Sequence, residues 1–232
     1  MITTVLFDLD GTIVDTNELI IQSFLHALEG ITPEPLTREH IIPNMGRPLT
    51  EQMVMFSGRE DVEDIVKKYR SFNVSKHDEL VREFPHVREV MAELRSRGLR
   101  MGIVTSKIRM TTEMGLKLCG LWDLVETVVT VDDVTKPKPD PEGIHKALAA
   151  LGGAKPETAL MVGDSHYDIE AAQRAGVGAV GVKWSLKGEA YLRQFKPDYL
   201  IDDMRQLLDI VEGKPAGKLG GQTVVPEERM SP

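Results

Sequence analysis

Residues 5–16 read VLFDLDGTIVDT, an apolar run that carries two aspartates one residue apart and then breaks on glycine. Alternate side chains of a strand point to the same face, so Asp8 and Asp10 are expected to project together, roughly 7 Å apart. Two carboxylates at that spacing repel by about 2 kcal/mol at an effective dielectric near 20. Such a pair calls for a cation or a reaction between its members. The structural alternative is a strand cap followed by an Asp-Gly turn, because that dipeptide commonly marks loops. The pair alone does not separate the two readings.

Downstream, Asp15 stands three residues before Glu18, a capping-box-like start with Asp as the cap, and residues 19–28 follow with helical apolar spacing. Residues 31–83 alternate short amphipathic segments with breakers at Pro33, Pro35, Pro43, Gly46, Pro48 and Gly58, and hold no convincing strand. From Val87 the pattern changes. A helix closed by Gly98 leads into the strand LRMGIVTS; then come a helix over 109–118, the strand TVVTV, a helix over 141–151, the strand ALMVGD, a helix over 166–174, the strand GAVGV and a last helix near 203–212. This alternation predicts the α/β class, with a doubly wound, Rossmann-like parallel sheet and an inserted helical domain. The expected division is a core of residues 1–15 and 84–212, a helical insert over 16–83, and a flexible tail over 213–232. The tail holds four glycines, three prolines and few large apolar side chains.

Composition narrows the function classes. At 232 residues with 41% hydrophobic content, the chain supports an ordinary soluble core. No apolar run approaches the roughly 20 residues needed to span a bilayer, and Asp8 interrupts the N-terminus before a signal-peptide core can form. A cytoplasmic protein is expected. Cys119 is the single cysteine, which excludes an internal disulfide and a thiolate metal cluster and leaves a structural thiol. A formal charge of -8 argues against nucleic-acid and anionic-membrane partners, since either needs a positive footprint. An anionic substrate then needs local cations or a metal. The expected partner is a small anionic substrate, with the chain itself a monomer or homodimer.

In a doubly wound sheet, ligands bind at the carboxyl ends of the strands. Strand one delivers Asp8 and Asp10 there; GIVTSK delivers Thr105, Ser106 and Lys107; the loop segment DDVTKPKPDPEGI brings Lys136 and Lys138; MVGDSHYD brings Asp164 and Asp168. Each has an ordinary structural explanation, such as a solvated loop lysine or an acidic first helical turn facing the dipole. Jointly, four strand ends carrying one chemistry point to phosphoryl transfer. A carboxylate must there approach an anionic phosphate, which is repulsive unless a hard cation and donors neutralise the oxygens. Mg2+ suits carboxylate and phosphate oxygens. The absence of a cysteine or imidazole cluster disfavours zinc.

DLDGT, the threonine after GIV, the lysine of KPDPEG and GDSHYD resemble, in order, the four motifs of the haloacid dehalogenase superfamily of phosphatases, with the insert placed like that family's helical C1 cap. The resemblance spans residues 5 to about 212. It implies that Asp8 is the nucleophile, forming an aspartyl-phosphate, and that Asp10 is the general acid and base, its backbone carbonyl contacting magnesium. It further implies that Thr105 holds the transferring phosphoryl group, that Lys138 stabilises the paired charges, and that Asp164 binds the metal with Asp168 in support. The metal set is thus Asp8, Asp10, Asp164 and Asp168. KPKPDP allows two registers; Lys138 has the family spacing into the next helix, and Lys136 is the fallback. Ser106, Lys107, Arg47, Arg109 and His77 are candidate substrate-binding groups, against the ordinary reading of most such side chains as solvated surface.

Beyond the superfamily, DTNELIIQSFLHALE, YRSFNVSKHDELV, VTSKIR and QFKPDYL resemble its bacterial inorganic pyrophosphatases, with phosphoglycolate phosphatase as the alternative. A receiver-type signalling domain also combines acids, a hydroxyl and a lysine at strand ends. The length and the helical insert disfavour it, and the presence of both Asp8 and Asp10 disfavours a non-catalytic relative.

Overall fold

In the computed structural model, which describes residues 1–32 and 34–214, the strand β1 (Thr4–Phe7) is followed by β2 (Val14–Asp15). Four helices come next: α1 (Asn17–Leu28), α2 (Arg38–Ile41), α3 (Leu49–Ser57) and α4 (Glu63–Leu80). After β3 (Arg82–Glu83), helices and strands alternate as α5 (Val87–Ser96), β4 (Arg100–Val104), α6 (Arg109–Leu118), β5 (Thr127–Val129), α7 (Glu142–Ala150) and β6 (Ala159–Gly163). The series closes with α8 (His166–Ala175), β7 (Gly178–Val182), α9 (Glu189–Arg193), β8 (Tyr199–Ile201) and α10 (Gln206–Val211). From residue 215 onward, the expected tail lies outside the described residues.

Among the described residues, one sheet of six strands runs in the order β5-β4-β1-β6-β7-β8, with every neighbouring pair parallel. The first strand is therefore central: Thr4 pairs with Arg100 on one side and Ala159 on the other. Strands covered on both faces read as continuous apolar runs, which explains why TVLF shows no polar alternation. The pleat still sorts its side chains, since Val5 and Phe7 pack into the layer with α5 and α10 whereas Leu6 packs into the opposite layer with α7 and α8. Two elements extend the predicted alternation, α9 with five residues and β8 with three. Both are too short to carry a periodic signal. Cys119 is a free, half-buried thiol against the core, and burial pushes its pKa up to about 11, which makes it unreactive at neutral pH.

Helices α1–α4 enclose a separate apolar cluster that includes Ile21, Phe24, Met53, Ile65 and Tyr69. Phe24 meets Phe56 and Tyr69 edge-on at centroid distances of 5.7 and 4.9 Å. The chain enters this cap and leaves it side by side, through an antiparallel ladder pairing Val14 with Glu83 and Asp15 with Arg82. One local expectation is corrected here. Asp15 does not cap α1; it accepts a hydrogen bond from the Asn17 N–H at 3.2 Å, and Thr16 occupies the N-cap without capping through its side chain. That hydroxyl is committed elsewhere, donating to Asp10 at 2.7 Å. No helix among the described residues is long and apolar enough to cross a membrane.

Candidate active site

Every neighbouring strand runs parallel to β1, so the carboxyl ends of β1, β4 and β6 open on one edge, beneath the cap. Asp8 follows the last residue of β1, its N–H donating to the Val162 carbonyl of β6 at 2.8 Å. Asp164 and Ser165 follow β6. Ser165 then caps α8 reciprocally: its N–H and hydroxyl donate to Asp168 Oδ2 at 3.0 and 2.6 Å. The β6 end tolerates this only because residue 163 is glycine, where a Cβ would lie 2.2 Å from the Cβ of Asp168. The geometry that brings Asp168 back against the sheet thus depends on a missing methyl group.

Each of the opening aspartates has its own lysine. Lys138 Nζ donates to Asp8 at 2.6 Å, to Asp168 Oδ1 at 2.5 Å and to the Val104 carbonyl at 2.9 Å, so all three of its protons are placed. Lys107 Nζ donates to both oxygens of Asp10 at 3.0 Å, with Thr16 as that carboxylate's further donor. The repulsion anticipated between Asp8 and Asp10 is therefore answered by two cations from different loops. Lys136 lies apart, its N–H donating to Glu142 at 2.9 Å.

Asp8, Asp164 and Asp168 each offer a carboxylate oxygen within 4.8 Å of the others. Burial pushes Asp8 upward against the pull of Lys138, and it pushes Asp164 up to about 6, partly offset by Lys187. Burial lowers Lys138, but Asp168 and Asp8 more than offset it, so the ammonium stays charged. Three carboxylates, when ionised, outnumber the two ammonium groups beside them, Lys138 and the more distant Lys187, and leave an excess of negative charge. Among the described residues, no donor hydrogen-bonds the Asp164 carboxylate. An oxygen-only, electron-rich site with an unpartnered carboxylate fits a hard divalent cation. Asp168 is already occupied at both oxygens by Lys138 and Ser165, which makes it an anchor for the lysine. The Asp10 side chain, bound to Lys107 and Thr16, stands outside the triad.

Between strand ends and cap lies a cavity whose floor is Asp8, Asp10, Thr105, Lys138 and Asp164. The Thr105 oxygen accepts the Lys107 N–H at 3.2 Å, which leaves the hydroxyl proton to donate into the cavity. Ser106 Oγ is buried without a partner. The cap side supplies Arg47, together with Gln52, Tyr69, Arg70 and Asn73, four residues that sequence reasoning did not single out. Two expected substrate groups are corrected. His77 is 1% exposed and forms no part of the cavity wall. It belongs to the same buried face of α4 as Tyr69 and Asn73, but it lies two turns beyond Tyr69, roughly 12 Å along the axis. Arg109 is drawn to the sheet edge instead, donating to the Val128 carbonyl at 3.0 Å and to Asp133 at 2.6 Å.

Comparison with known proteins agrees with this arrangement. The model of the family described as haloacid dehalogenase-like hydrolase matches residues 5–182. Pyrophosphatase PpaX of Bacillus cereus is 50% identical over 210 residues, covering 90% of this chain and 96% of that protein, and the PpaX of Bacillus anthracis shows the same values. Among solved structures, a haloacid dehalogenase-like family hydrolase from Streptococcus pneumoniae superposes with a TM-score of 0.78 at 26% identity, covering 90% of this chain and 98% of that one. A predicted phosphoglycolate phosphatase from Haemophilus somnus gives 0.78 at 26% identity, covering 90% and 97%. With its strand-end aspartates, its buried lysine and its inserted helices all within the span of these matches, the chain belongs to the haloacid dehalogenase-like hydrolase family.

Proposed function

We propose that this chain hydrolyses inorganic pyrophosphate to two phosphates, with Mg2+, through a phosphoryl group carried on Asp8. The observation that carries the reading is Asp8 at the cavity floor with Lys138 Nζ 2.6 Å away, alongside a second carboxylate, Asp10, held by Lys107 and Thr16. An Asp8 oxygen attacks one phosphorus, the bridging P–O bond breaks, and its electron pair leaves with the departing phosphate. Water then attacks the phosphorus of the aspartyl-phosphate, Asp10 takes a proton from it, and Asp8 is released. Thr105 orients the phosphoryl oxygens, and the ammonium of Lys138, held by Asp8 and Asp168, offsets their charge. Asp8 and Asp164, with the Asp10 carbonyl, would hold magnesium, which would supply the charge neutralisation that lets a carboxylate approach a phosphate. The division of the chain into a core of 1–15 and 84–212 and a cap of 16–83 belongs to the same proposal, with the β2–β3 ladder as hinge.

Pyrophosphate is favoured by the cations around the cavity. Lys107, Arg47 and Arg70 all line it, and a leaving phosphate accumulates charge that such groups stabilise. The 50% identity to proteins named pyrophosphatase over nearly their full length supports the same choice. One feature favours a small organic phosphate such as phosphoglycolate instead: the cap wall includes Ile20, Phe24 and Leu49, apolar surface with which pyrophosphate makes no hydrophobic contact. The test is a Mg2+-supported panel of pyrophosphate, phosphoglycolate and sugar phosphates. The highest kcat/KM is expected for pyrophosphate; a higher value for phosphoglycolate overturns the assignment.

A further inference from the structure

We propose that Lys187 is a positioning residue that holds the substrate-facing loop of the cap, residues 45–48, in place from the core side. Lys187 is in the loop after β7 and does not line the cavity. Its ammonium nevertheless crosses from core to cap and donates to the Met45 carbonyl at 2.5 Å. The loop it holds carries Arg47, a cation of the cavity wall.

The lysine is itself fixed to the site. Its N–H donates to Ser185 Oγ at 3.2 Å, and Ser185 Oγ donates to the Asp164 carbonyl at 2.7 Å. In the same segment, Trp184 Nε1 donates to the Thr12 carbonyl at 3.2 Å, in the turn that follows Asp10, and its ring meets Phe84 at 5.9 Å beside the β3 crossing. Residues 184–187 thus touch the end of β6, the turn after β1, the cap's return crossing and the cap loop. The loop has been shaped for this approach. Gly46 sits at φ +99°, where a Cβ would be 3.0 Å from the Tyr167 ring and 3.3 Å from Ser165 Oγ, and the ammonium of Lys187 stands 5.7 Å from the centroid of that same ring. Within the cap, Gln52 Nε2 donates to the Arg47 carbonyl at 2.9 Å. The loop is therefore held at two alternate carbonyls, Met45 from the core and Arg47 from the cap.

A cation suits this place better than a neutral donor. Lys187 is close enough to Asp164, Asp168 and Asp8 to feel their charge, so it offsets the acidic cluster while one of its three protons is spent on the cap. A carbonyl bonded to a charged donor is also held more tightly than by a neutral one. The consequence is that the position of this cavity-lining loop is set by a residue that does not itself line the cavity.

The inference rests on the cavity being the substrate site, and one arm of its test does not need turnover. Hydrogen exchange read by mass spectrometry on the full chain is compared among wild type, Lys187→Met and Lys187→Arg. Peptides covering residues 44–52 are expected to exchange about tenfold faster in Lys187→Met, with peptides of β4 and β6 unchanged, and Lys187→Arg is expected to restore wild-type protection. In the kinetic arm, with pyrophosphate and Mg2+, Lys187→Met is expected to raise KM more than it lowers kcat, and arginine to rescue. Unchanged exchange over 44–52 in Lys187→Met overturns the proposal, as does equal acceleration across β4 and β6, which marks a general loss of stability. Changed exchange without pyrophosphate turnover in the wild type leaves the latch standing and rejects the substrate assignment.

Discussion

At the scale of single residues, the proposed reaction gives the chemistry to Asp8 and the electrostatics to Lys138. Asp8→Asn keeps the shape of the side chain and replaces the proposed nucleophile with an amide, so turnover is expected to fall by at least about a thousandfold with the circular-dichroism spectrum preserved. Phosphate release at the wild-type rate by this variant would rule out a covalent route through Asp8. Lys138→Met has the opposite profile. It leaves Asp8 and Asp168 facing each other in the interior without their shared cation, and removing one partner of a buried ion pair costs about 3 kcal/mol. The sign of its pH dependence follows from burial. Lys138 opposes the upward push of burial on Asp8, so without it the folded state retains a proton on Asp8 that the unfolded state has lost, and the cost grows as pH rises. Urea denaturation is expected to show the larger deficit at pH 7.5 and a smaller one at pH 5. A deficit independent of pH would mean that lost packing, and not unpaired charge, destabilises the variant.

At the scale of elements, the path from sequence to site is uneven. The strand ends were readable because β1, β4 and β6 are apolar runs that stop abruptly at Asp8, Thr105 and Asp164, and because a parallel sheet places such ends on one edge. The cap face was not readable in the same way. The buried face of α4 steps through Ile65, Tyr69, Asn73 and His77 at four-residue intervals, and nothing in that spacing says where the cavity stops along the helix. Hence His77 was expected at the substrate and Tyr69 and Asn73 were not. Lys187 lay in a loop without a motif, and only tertiary packing brings it to Met45. The N-cap of α1 shows the same limit on one turn, where the hydroxyl of Thr16 serves Asp10 instead of the helix. Gly163 gives the element scale its own test. Gly163→Ala places a methyl group where Asp168 stands and must push α8 off the end of β6, a strain of about 3 kcal/mol. Thermal melting is expected to fall accordingly, and turnover to fall with it as Asp168 loses Lys138. An alanine variant that melts and turns over like wild type would show that α8 shifts freely.

At the scale of the whole molecule, the acidic triad links stability to both pH and metal. Burial holds Asp164 at about 6 and raises Asp8, so between the ordinary carboxylate range near 4 and those raised values the folded state binds more protons than the unfolded one. Stability without a divalent cation is therefore expected to decline as pH rises through that window. A cation that binds only the folded state reverses the decline. The rise in melting temperature on adding Mg2+, measured against a chelator, is expected to be larger at pH 7.5 than at pH 5; an equal rise at both would place the bound ion away from these carboxylates. The sheet order has a further consequence, for biosynthesis. The central strand leaves the ribosome well before its neighbours, which pair at Arg100 and Ala159 and are made roughly 95 and 155 residues later. Helices α1 and α4, by contrast, are complete by Leu80 and pack against each other. During translation the cap can condense while β1 still waits, solvated or held by a chaperone, with both hydrogen-bonding edges unpaired. Asp8 therefore acquires its lysine only after a further 130 residues have been made, and a product truncated before Lys138 carries an exposed template for aggregation where the folded protein carries the Asp8–Lys138 pair.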